Sequence, residues 1–284
     1  MATARGTDGT RISYETVPAL PLVGRGRRPV VLVQGLGADR TGWMMQRLAF
    51  SPRHRTVLFD NRGAGSSDKP AGPYALADMA DDLLAVLDDA DIASAHIVGA
   101  SMGGAIAQTL AVQHPERVAS LTLACTACRN HPWRRELLLG WMEIATTQGM
   151  RALGRAAIPW MVGPRSFRRF APALGLMGPL MLGAPVHGFV AQVQGILALE
   201  DDTIPETLAG IAAPTLVIVG NQDILTPRGD SEEIAELIPG AELAVVAGAA
   251  HGLMVEHAST FNRVVSGFIG RVESGRTARA VAAS

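Results

Sequence analysis

The sequence predicts an α/β fold, in which a mostly parallel central β-sheet is covered by helices on both faces. Short apolar runs recur along the chain and alternate with segments of helical periodicity. The runs contain few polar residues, which is typical of strands buried on both faces. Gly, Ser, Asp and His residues follow several runs directly. Sheets of this kind bind ligands at the carboxyl ends of their strands, so we expect a site there.

The first predicted strand is RISYETV at residues 11–17, which alternates like an edge strand. Six apolar runs follow, within residues 29–37, 55–68, 95–104, 118–127, 213–223 and 241–252. Between the second and third run, residues 77–92 place apolar side chains at helical spacing, as expected for a helix that packs on the sheet.

The alternation of strands and helices stops between the fourth and fifth run. Residues 128–204 are rich in Met, Trp, Leu, Gly and Pro and show helical periodicity without a convincing strand. This stretch is long for a single connection, so we predict a helical cap inserted into the core. The alternative is a set of ordinary connecting helices that pack on the sheet. The core then comprises residues 1–127 and 205–272, and 273–284 form a flexible tail.

The composition argues against a nucleic-acid-binding protein and against a membrane protein. The chain has 284 residues, of which 48% are hydrophobic, and its 25 basic residues nearly balance 26 acidic ones. This balance predicts no binding to nucleic acid or to an acidic membrane. The N-terminus lacks the apolar segment of a signal peptide, and no apolar run is long enough to span a bilayer, so a cytoplasmic location is expected. The sequence leaves open whether the protein forms a homo-oligomer.

The two cysteines, Cys125 and Cys128, form an isolated C-x-x-C pair. A structural zinc site requires a second pair of ligands, and no further C-x-x-C or H-x-x-x-H pattern is present. We therefore predict buried thiols and no metal site. Whether the pair has a redox role stays open at this stage.

A candidate nucleophile is found in the segment GASMGG. Gly99, Ser101 and Gly103 match the pattern G-x-S-x-G, between an apolar run and a helical segment. In this context the pattern is typical of a sharp strand-to-helix turn that exposes the serine, and small neighbours are needed for such a turn. The alternative is a glycine-rich helix start with Ser101 as N-cap.

A serine hydroxyl needs a general base within hydrogen-bond reach to become nucleophilic at neutral pH. Among the seven histidines, His251 alone follows a predicted core strand in a loop, directly before Gly252. We therefore predict His251 as the base, and His257 is the alternative.

The base in turn needs a carboxylate to orient its ring and to stabilise its positive charge. Asp223 follows the penultimate core strand in a position that matches that of His251. Glu116 and Asp230 are alternatives, but both are predicted at helix ends. The other interpretation of Asp223 is a turn-forming residue before Pro227.

The order Ser101, Asp223, His251 resembles that of the α/β-hydrolase superfamily. The similarity extends from RISYE to SGFIGRV, and it includes the segments FDNRGAGSSDKP, GNQD and AAHG. The resemblance implies the α/β-hydrolase fold with an inserted cap, and a catalytic triad of these three residues without a metal or organic cofactor.

The resemblance also implies an oxyanion hole formed by two backbone N–H groups, those of Leu36 and Met102. Many relatives carry H-G-x-G in the first of these loops, whereas this chain has Gln34 in place of the histidine. Because the donor is a main-chain group, we expect the hole to persist with altered hydrogen bonding behind it.

The implied activity is that of a serine hydrolase that cleaves an ester or lactone of a small apolar or aromatic molecule, as in small esterases and enol-lactonase-like hydrolases. Candidate pocket residues are Gln34, Trp43, Trp133, Trp141 and Trp160. Alternatives are a C–C bond hydrolase of the meta-cleavage type, a cofactor-free haloperoxidase or perhydrolase, and a non-catalytic ligand receptor. The sequence does not identify the physiological substrate.

Overall fold

Eight strands form one sheet in the computed structural model, which describes residues 1–24, 26–168, 183–198 and 203–275. The order of the strands is β1-β2-β4-β3-β5-β6-β7-β8. The strands are β1 (Ala2–Arg5), β2 (Arg11–Val17), β3 (Val30–Val33), β4 (Thr56–Phe59), β5 (Ala95–Ala100), β6 (Val118–Ala124), β7 (Thr215–Gly220) and β8 (Glu242–Val246).

The sheet is parallel from β4 to β8 and antiparallel at its N-terminal edge. β1 pairs with β2, and β2 pairs with β4, both in the antiparallel sense. The remaining pairs are parallel. The predicted fold class is therefore confirmed. The edge assignment is wrong, because β1 covers the outer side of β2. β1 has only Ala4 buried, so it lacks the apolar run by which the other strands were recognised.

Helices cover both faces of the sheet. They are α1 (Met44–Phe50), α2 (Leu76–Asp89), α3 (Met102–Gln113), α4 (Pro132–Gln148), α5 (Met150–Met161), α6 (Val186–Leu197), α7 (Thr203–Leu208), α8 (Arg228–Leu237), α9 (Leu253–Glu256) and α10 (Ala258–Glu273). One apolar core lies between the sheet and α2, α3 and α8, and the other lies between the sheet and α1 and α10. Among the described residues, no helix has both the length and the apolar character needed to cross a membrane.

Three helices between β6 and β7 share an apolar cluster of their own. α4, α5 and α6 contribute Leu138, Trp141, Leu153, Phe189 and Val193 to it. The described part of the predicted insertion is therefore helical, and its residues 169–182 and 199–202 lie outside the described residues. The predicted tail lies outside them beyond residue 275, and its first residue, Glu273, ends α10.

His96 in β5 is fully buried at the opposite end of the sheet from the predicted site. Its Nδ1 lies 2.7 Å from the Ser120 hydroxyl, and its Nε2 lies 3.5 Å from a carboxylate oxygen of Glu273. Burial lowers the pKa of His96 to about 4, and the charge of Glu273 opposes this only in part. The imidazole is therefore neutral in the folded protein at neutral pH.

This buried imidazole predicts sensitivity to acid. An unfolded histidine titrates near pH 6.5, so below that pH the unfolded chain binds a proton that the folded chain does not. We expect the free energy of unfolding to decrease between about pH 6.5 and about pH 4, by up to about 1.4 kcal/mol per pH unit from this group. Urea denaturation of the wild type and His96→Gln across this range measures the effect. Equal pH slopes in the two proteins would contradict it.

Candidate active site

Ser101 occupies the sharp turn between β5 and α3. Its backbone angles are φ 54° and ψ −122°, in a region that residues with a side chain rarely adopt. Its N–H donates to the Ala124 carbonyl at 2.9 Å, and its own carbonyl accepts from the Thr126 hydroxyl at 2.7 Å. These bonds to the neighbouring strand hold the strained conformation, which places a half-buried serine at the carboxyl end of a central strand.

The glycines around Ser101 are needed because main chains approach closely there. A Cβ atom at Gly99 would lie 2.3 Å from the carbonyl oxygen of Gly103, and one at Gly103 would lie 2.2 Å from that of Val33. The Ser101 side chain forms no capping hydrogen bond with α3. Ser101 therefore occupies the N-cap position of α3 without capping it through its side chain, and the glycine pattern reflects the tight turn.

Asp223 and His251 follow β7 and β8 and form a buried hydrogen-bonded pair. The distance from Asp223 Oδ2 to His251 Nδ1 is 3.0 Å. Asp223 Oδ1 accepts the N–H groups of Leu225 and Thr226, each at 2.9 Å. The Thr226 hydroxyl donates to Oδ2 at 2.9 Å and lies 3.1 Å from His251 Nδ1.

This environment decides the protonation of the pair. Burial raises the pKa of the Asp223 carboxyl, but the charge that His251 carries when protonated, its hydrogen bond and the donors of Thr226 outweigh the effect of burial, so the pKa lies below its usual range. An ionised carboxylate only accepts hydrogen bonds, and His251 Nδ1 must therefore carry the proton toward Asp223. His251 Nε2 is then left as a proton acceptor.

The three predicted side chains lie at the same edge of the sheet, because β5, β6, β7 and β8 are consecutive neighbours. Ser101 bonds to the residues on both sides of Cys125. The thiol of Cys125 lies within 4.8 Å of one carboxylate oxygen of Asp223 and of one ring nitrogen of His251. Cys125, in the loop after β6, therefore lies between the serine turn and the Asp223–His251 pair.

Both cysteines are buried free thiols, as expected from the sequence. Burial raises the pKa of Cys125 well above its ordinary value, and that of Cys128 to about 12. Neutral thiols are weak metal ligands and weak nucleophiles. These conditions favour an inert role for the pair.

Two groups of side chains bring potential metal ligands within 4.8 Å of one another, within the described part of the chain: Cys125 with Asp223 and His251, and His54 with His96 and Glu273. Each carboxylate oxygen of Asp223 already accepts two hydrogen bonds. The Glu273 carboxylate is neutralised by Arg27 at 2.7 Å. The carboxylates of both groups are therefore already engaged, by hydrogen-bond donors at Asp223 and by an arginine at Glu273.

The loop after β3 packs directly against the serine turn. A Cβ atom at Gly35 would lie 3.2 Å from Ser101 Cβ, so this loop and Ser101 are in contact. Gln34, which replaces the histidine of many relatives, turns back into its own loop. Its Oε1 accepts the Gly35 N–H at 2.8 Å, and its Nε2 donates to the Asp39 carbonyl at 3.3 Å. Its side chain therefore stabilises the loop.

The four tryptophans lie in three different parts of the fold. Trp141 and Trp160 form an edge-to-face pair within the apolar cluster of the inserted helices, with ring centroids 6.4 Å apart and ring planes at 82°. Trp43 is fully buried against Phe261 in the core beneath the sheet. Trp133 is 41% exposed and stacks on a neighbouring arginine. Of the four tryptophans, only Trp141 and Trp160 belong to the apolar cluster of the inserted helices.

Two residues of the site were not predicted from the sequence. Thr226 lies three residues after Asp223, and a hydroxyl at this spacing could have been recognised as a turn that binds the carboxylate. Gln192 of α6 contacts the loop after β3. Its position more than a hundred residues along the chain from that loop left no local signal.

Comparison with known proteins agrees with the geometry. A family model described as alpha/beta hydrolase fold matches residues 28–157. A protein of Azorhizobium caulinodans, provisionally named carbamate hydrolase RutD, is 31% identical over 86% of this chain and 92% of its own length. The crystal structure of the enol-lactonase from Burkholderia xenovorans is 30% identical, with a TM-score of 0.85 over 95% of this chain and 100% of that one. A thermophilic esterase from Thermogutta terrifontis is 26% identical, with a TM-score of 0.85 over 95% and 98%. The chain belongs to the α/β-hydrolase family and is a hydrolase.

Proposed function

We propose that the protein is a serine hydrolase that cleaves a carboxylic ester or lactone of a small apolar or aromatic molecule through an acyl-enzyme intermediate. The observation that carries the proposal is the buried Asp223–His251 pair, at 3.0 Å, at the edge of the sheet where Ser101 occupies a strained turn. The names of the three relatives add support, since a carbamate, a lactone and an ester each present a carbonyl carbon bonded to a leaving heteroatom.

In the first step, Ser101 Oγ attacks the substrate carbonyl carbon while His251 Nε2 takes the hydroxyl proton. The ionised Asp223 stabilises the imidazolium that forms and keeps its ring oriented through Nδ1. The imidazolium then donates its proton to the departing alkoxide. The acyl group is left on Ser101, and the alcohol is released from an ester or stays attached in a lactone.

The negative charge on the carbonyl oxygen requires hydrogen-bond donors placed beforehand. We assign the backbone N–H groups of Leu36 and Met102 to this role. The N–H groups on both sides of Leu36 are already bound, that of Gly35 by Gln34 and that of Gly37 by Gln192. Met102 begins α3, where N–H groups have no acceptor within the helix. Each such donor typically lowers the barrier by about 3 kcal/mol.

In the second step, a water molecule replaces the alcohol. His251 Nε2 takes a proton from the water, and the resulting hydroxide adds to the acyl carbon. Collapse of this intermediate returns the proton to Ser101 Oγ and releases the carboxylic acid. The proposal needs no metal and no organic cofactor, since every proton moves between Ser101, His251, water and the substrate.

We further propose that residues 128–204 form a cap that shapes the substrate pocket. The packing of Trp141 against Trp160, in a cluster with Leu138 and Phe189, presents an apolar region beside the loops of the site. An apolar region of this kind favours a hydrocarbon or aromatic group in the acyl or alcohol part of the substrate.

A substrate panel tests the proposed reaction. We expect kcat/KM for aryl esters or lactones to exceed that for vinylogous 1,5-diketones by at least about tenfold, one tenfold step being about 1.4 kcal/mol of transition-state stabilisation. Ser101→Ala serves as the blank for each compound. Turnover of the diketones alone would replace the proposal with a C–C bond hydrolase.

A further inference from the structure

Gln192 is a fully buried amide between α6 and the core of the protein. Burying an amide is unfavourable unless both of its polar ends find partners. Here both do: Oε1 accepts the N–H of Gly37 at 2.8 Å, and Nε2 donates to the carbonyl of Arg62 at 2.8 Å. The side chain therefore connects an inserted helix with two loops that follow strands of the sheet.

The inserted segment holds Gly37 from both sides. In addition to the bond from Gln192, the N–H of Ala184 donates to the Gly37 carbonyl at 3.1 Å. Gly37 has φ 71°, a conformation that a residue with a side chain rarely adopts. The peptide groups next to Leu36 on its C-terminal side are thus positioned by residues from outside the central fold.

The second partner of Gln192 is a rigid anchor. Two nitrogens of the Arg62 guanidinium donate to the buried carboxylate of Asp82, at 2.6 and 2.8 Å. α6 also packs directly on this loop, because a Cβ atom at Gly188 would lie 2.2 Å from the carbonyl oxygen of Gly63. An amide tied to such an anchor has little freedom to move.

We propose that Gln192 is a positioning residue that sets the direction of the Leu36 N–H in the oxyanion hole. This inference rests on the proposed function. The N–H of Leu36 lies between a peptide group bound by Gln34 and one bound by Gln192. An oxyanion donor has to lie about 2.7–3.1 Å from the developing charge, so a small rotation of this turn weakens it. The inserted helices therefore complete the catalytic geometry besides enclosing substrate.

Gln192→Met tests the proposal, because methionine has a similar length and forms neither hydrogen bond. We expect kcat to decrease by about ten- to a hundredfold, less than the full loss of one oxyanion donor, with KM within about twofold. Gln194→Met is the matched control, since Gln194 is exposed on the same helix two residues along. It should leave both constants unchanged.

A second readout separates positioning from a merely structural role. A trifluoromethyl ketone analogue forms an oxyanion on binding, whereas the product acid does not. Gln192→Met should weaken inhibition by the ketone in proportion to the loss in kcat/KM and leave inhibition by the acid unchanged. Equal effects on both inhibitors, or kcat within twofold of the wild type, overturn the inference.

Gln192→Asn keeps the test decisive if the methionine variant does not fold. It keeps a buried amide but is one methylene too short to bind Gly37 and Arg62 together, so kcat should again decrease. Wild-type turnover of esters and labelling by a fluorophosphonate distinguish a failure of the role of Gln192 from a failure of the proposed function. If the wild type is active and both variants match it, only the role of Gln192 is wrong. An inactive and unlabelled wild type overturns the proposed function itself.

Discussion

Ser101→Ala is expected to lower kcat by about a million-fold, the scale on which serine hydrolases lose activity when the nucleophile is removed. The substitution deletes the only protein atom that bonds to the acyl carbon in the proposed reaction. It leaves the strained turn in place, because the bonds that the Ser101 main chain forms with Ala124 and Thr126 do not involve the Ser101 hydroxyl. KM should change little, since the pocket is unaltered. Single-turnover and steady-state assays with an aryl ester measure the loss.

Ser274→Ala is the control for this change, because Ser274 is exposed after α10. Its kinetic constants should equal those of the wild type, and thermal melting should show all three proteins to be folded. A Ser101→Ala protein that retains more than about a hundredth of wild-type kcat, a barrier change under about 3 kcal/mol, is incompatible with a serine nucleophile.

Asp223→Asn is expected to lower kcat by about 10⁴-fold through the tautomer of His251. The asparagine oxygen should replace Oδ1, where two N–H groups, those of Leu225 and Thr226, require an acceptor. Its NH₂ group then faces His251 Nδ1 and donates to it. The ring proton moves to Nε2, and His251 can no longer accept the proton of Ser101.

Asp230→Asn provides the comparison, because Asp230 is the other buried acid of this region. Its carboxylate binds the guanidinium of Arg134 and lies 3.3 Å from His131. Its loss should reduce the melting temperature, since it leaves a buried guanidinium without a negatively charged partner. kcat of the folded fraction should stay within a few fold. The reverse pattern, with Asp230→Asn inactive and Asp223→Asn active, would reassign the acid.

Most of the core could be predicted from the sequence because the physics of a parallel sheet leaves a strong local signal. Successive residues of β3 enter opposite cores, Val31 and Val33 on one face and Val30 and Leu32 on the other. Every position is therefore apolar. β1 carries no such signal, since a single buried alanine is not a pattern.

The Asp223–His251 pairing could also be expected, because the loops after adjacent parallel strands meet at one edge. The residues that surround the site could not be predicted from the sequence. Trp43 lies close in sequence to the loop after β3, yet a short 3₁₀ turn directs it into the core against Phe261. Gln192 reaches Gly37 only through the packing of a distant helix. Such contacts depend on tertiary structure, which local patterns do not encode.

Ser101, activated by His251 and Asp223, is the proposed nucleophile. Incubation with a fluorophosphonate followed by peptide mass spectrometry identifies the residue that reacts. We expect one phosphonyl group per chain, attached to Ser101, absent in Ser101→Ala and formed far more slowly in Asp223→Asn. A wild-type protein that is not labelled, or that is labelled at another residue with Ser101→Ala still reactive, would show that Ser101 is not the nucleophile.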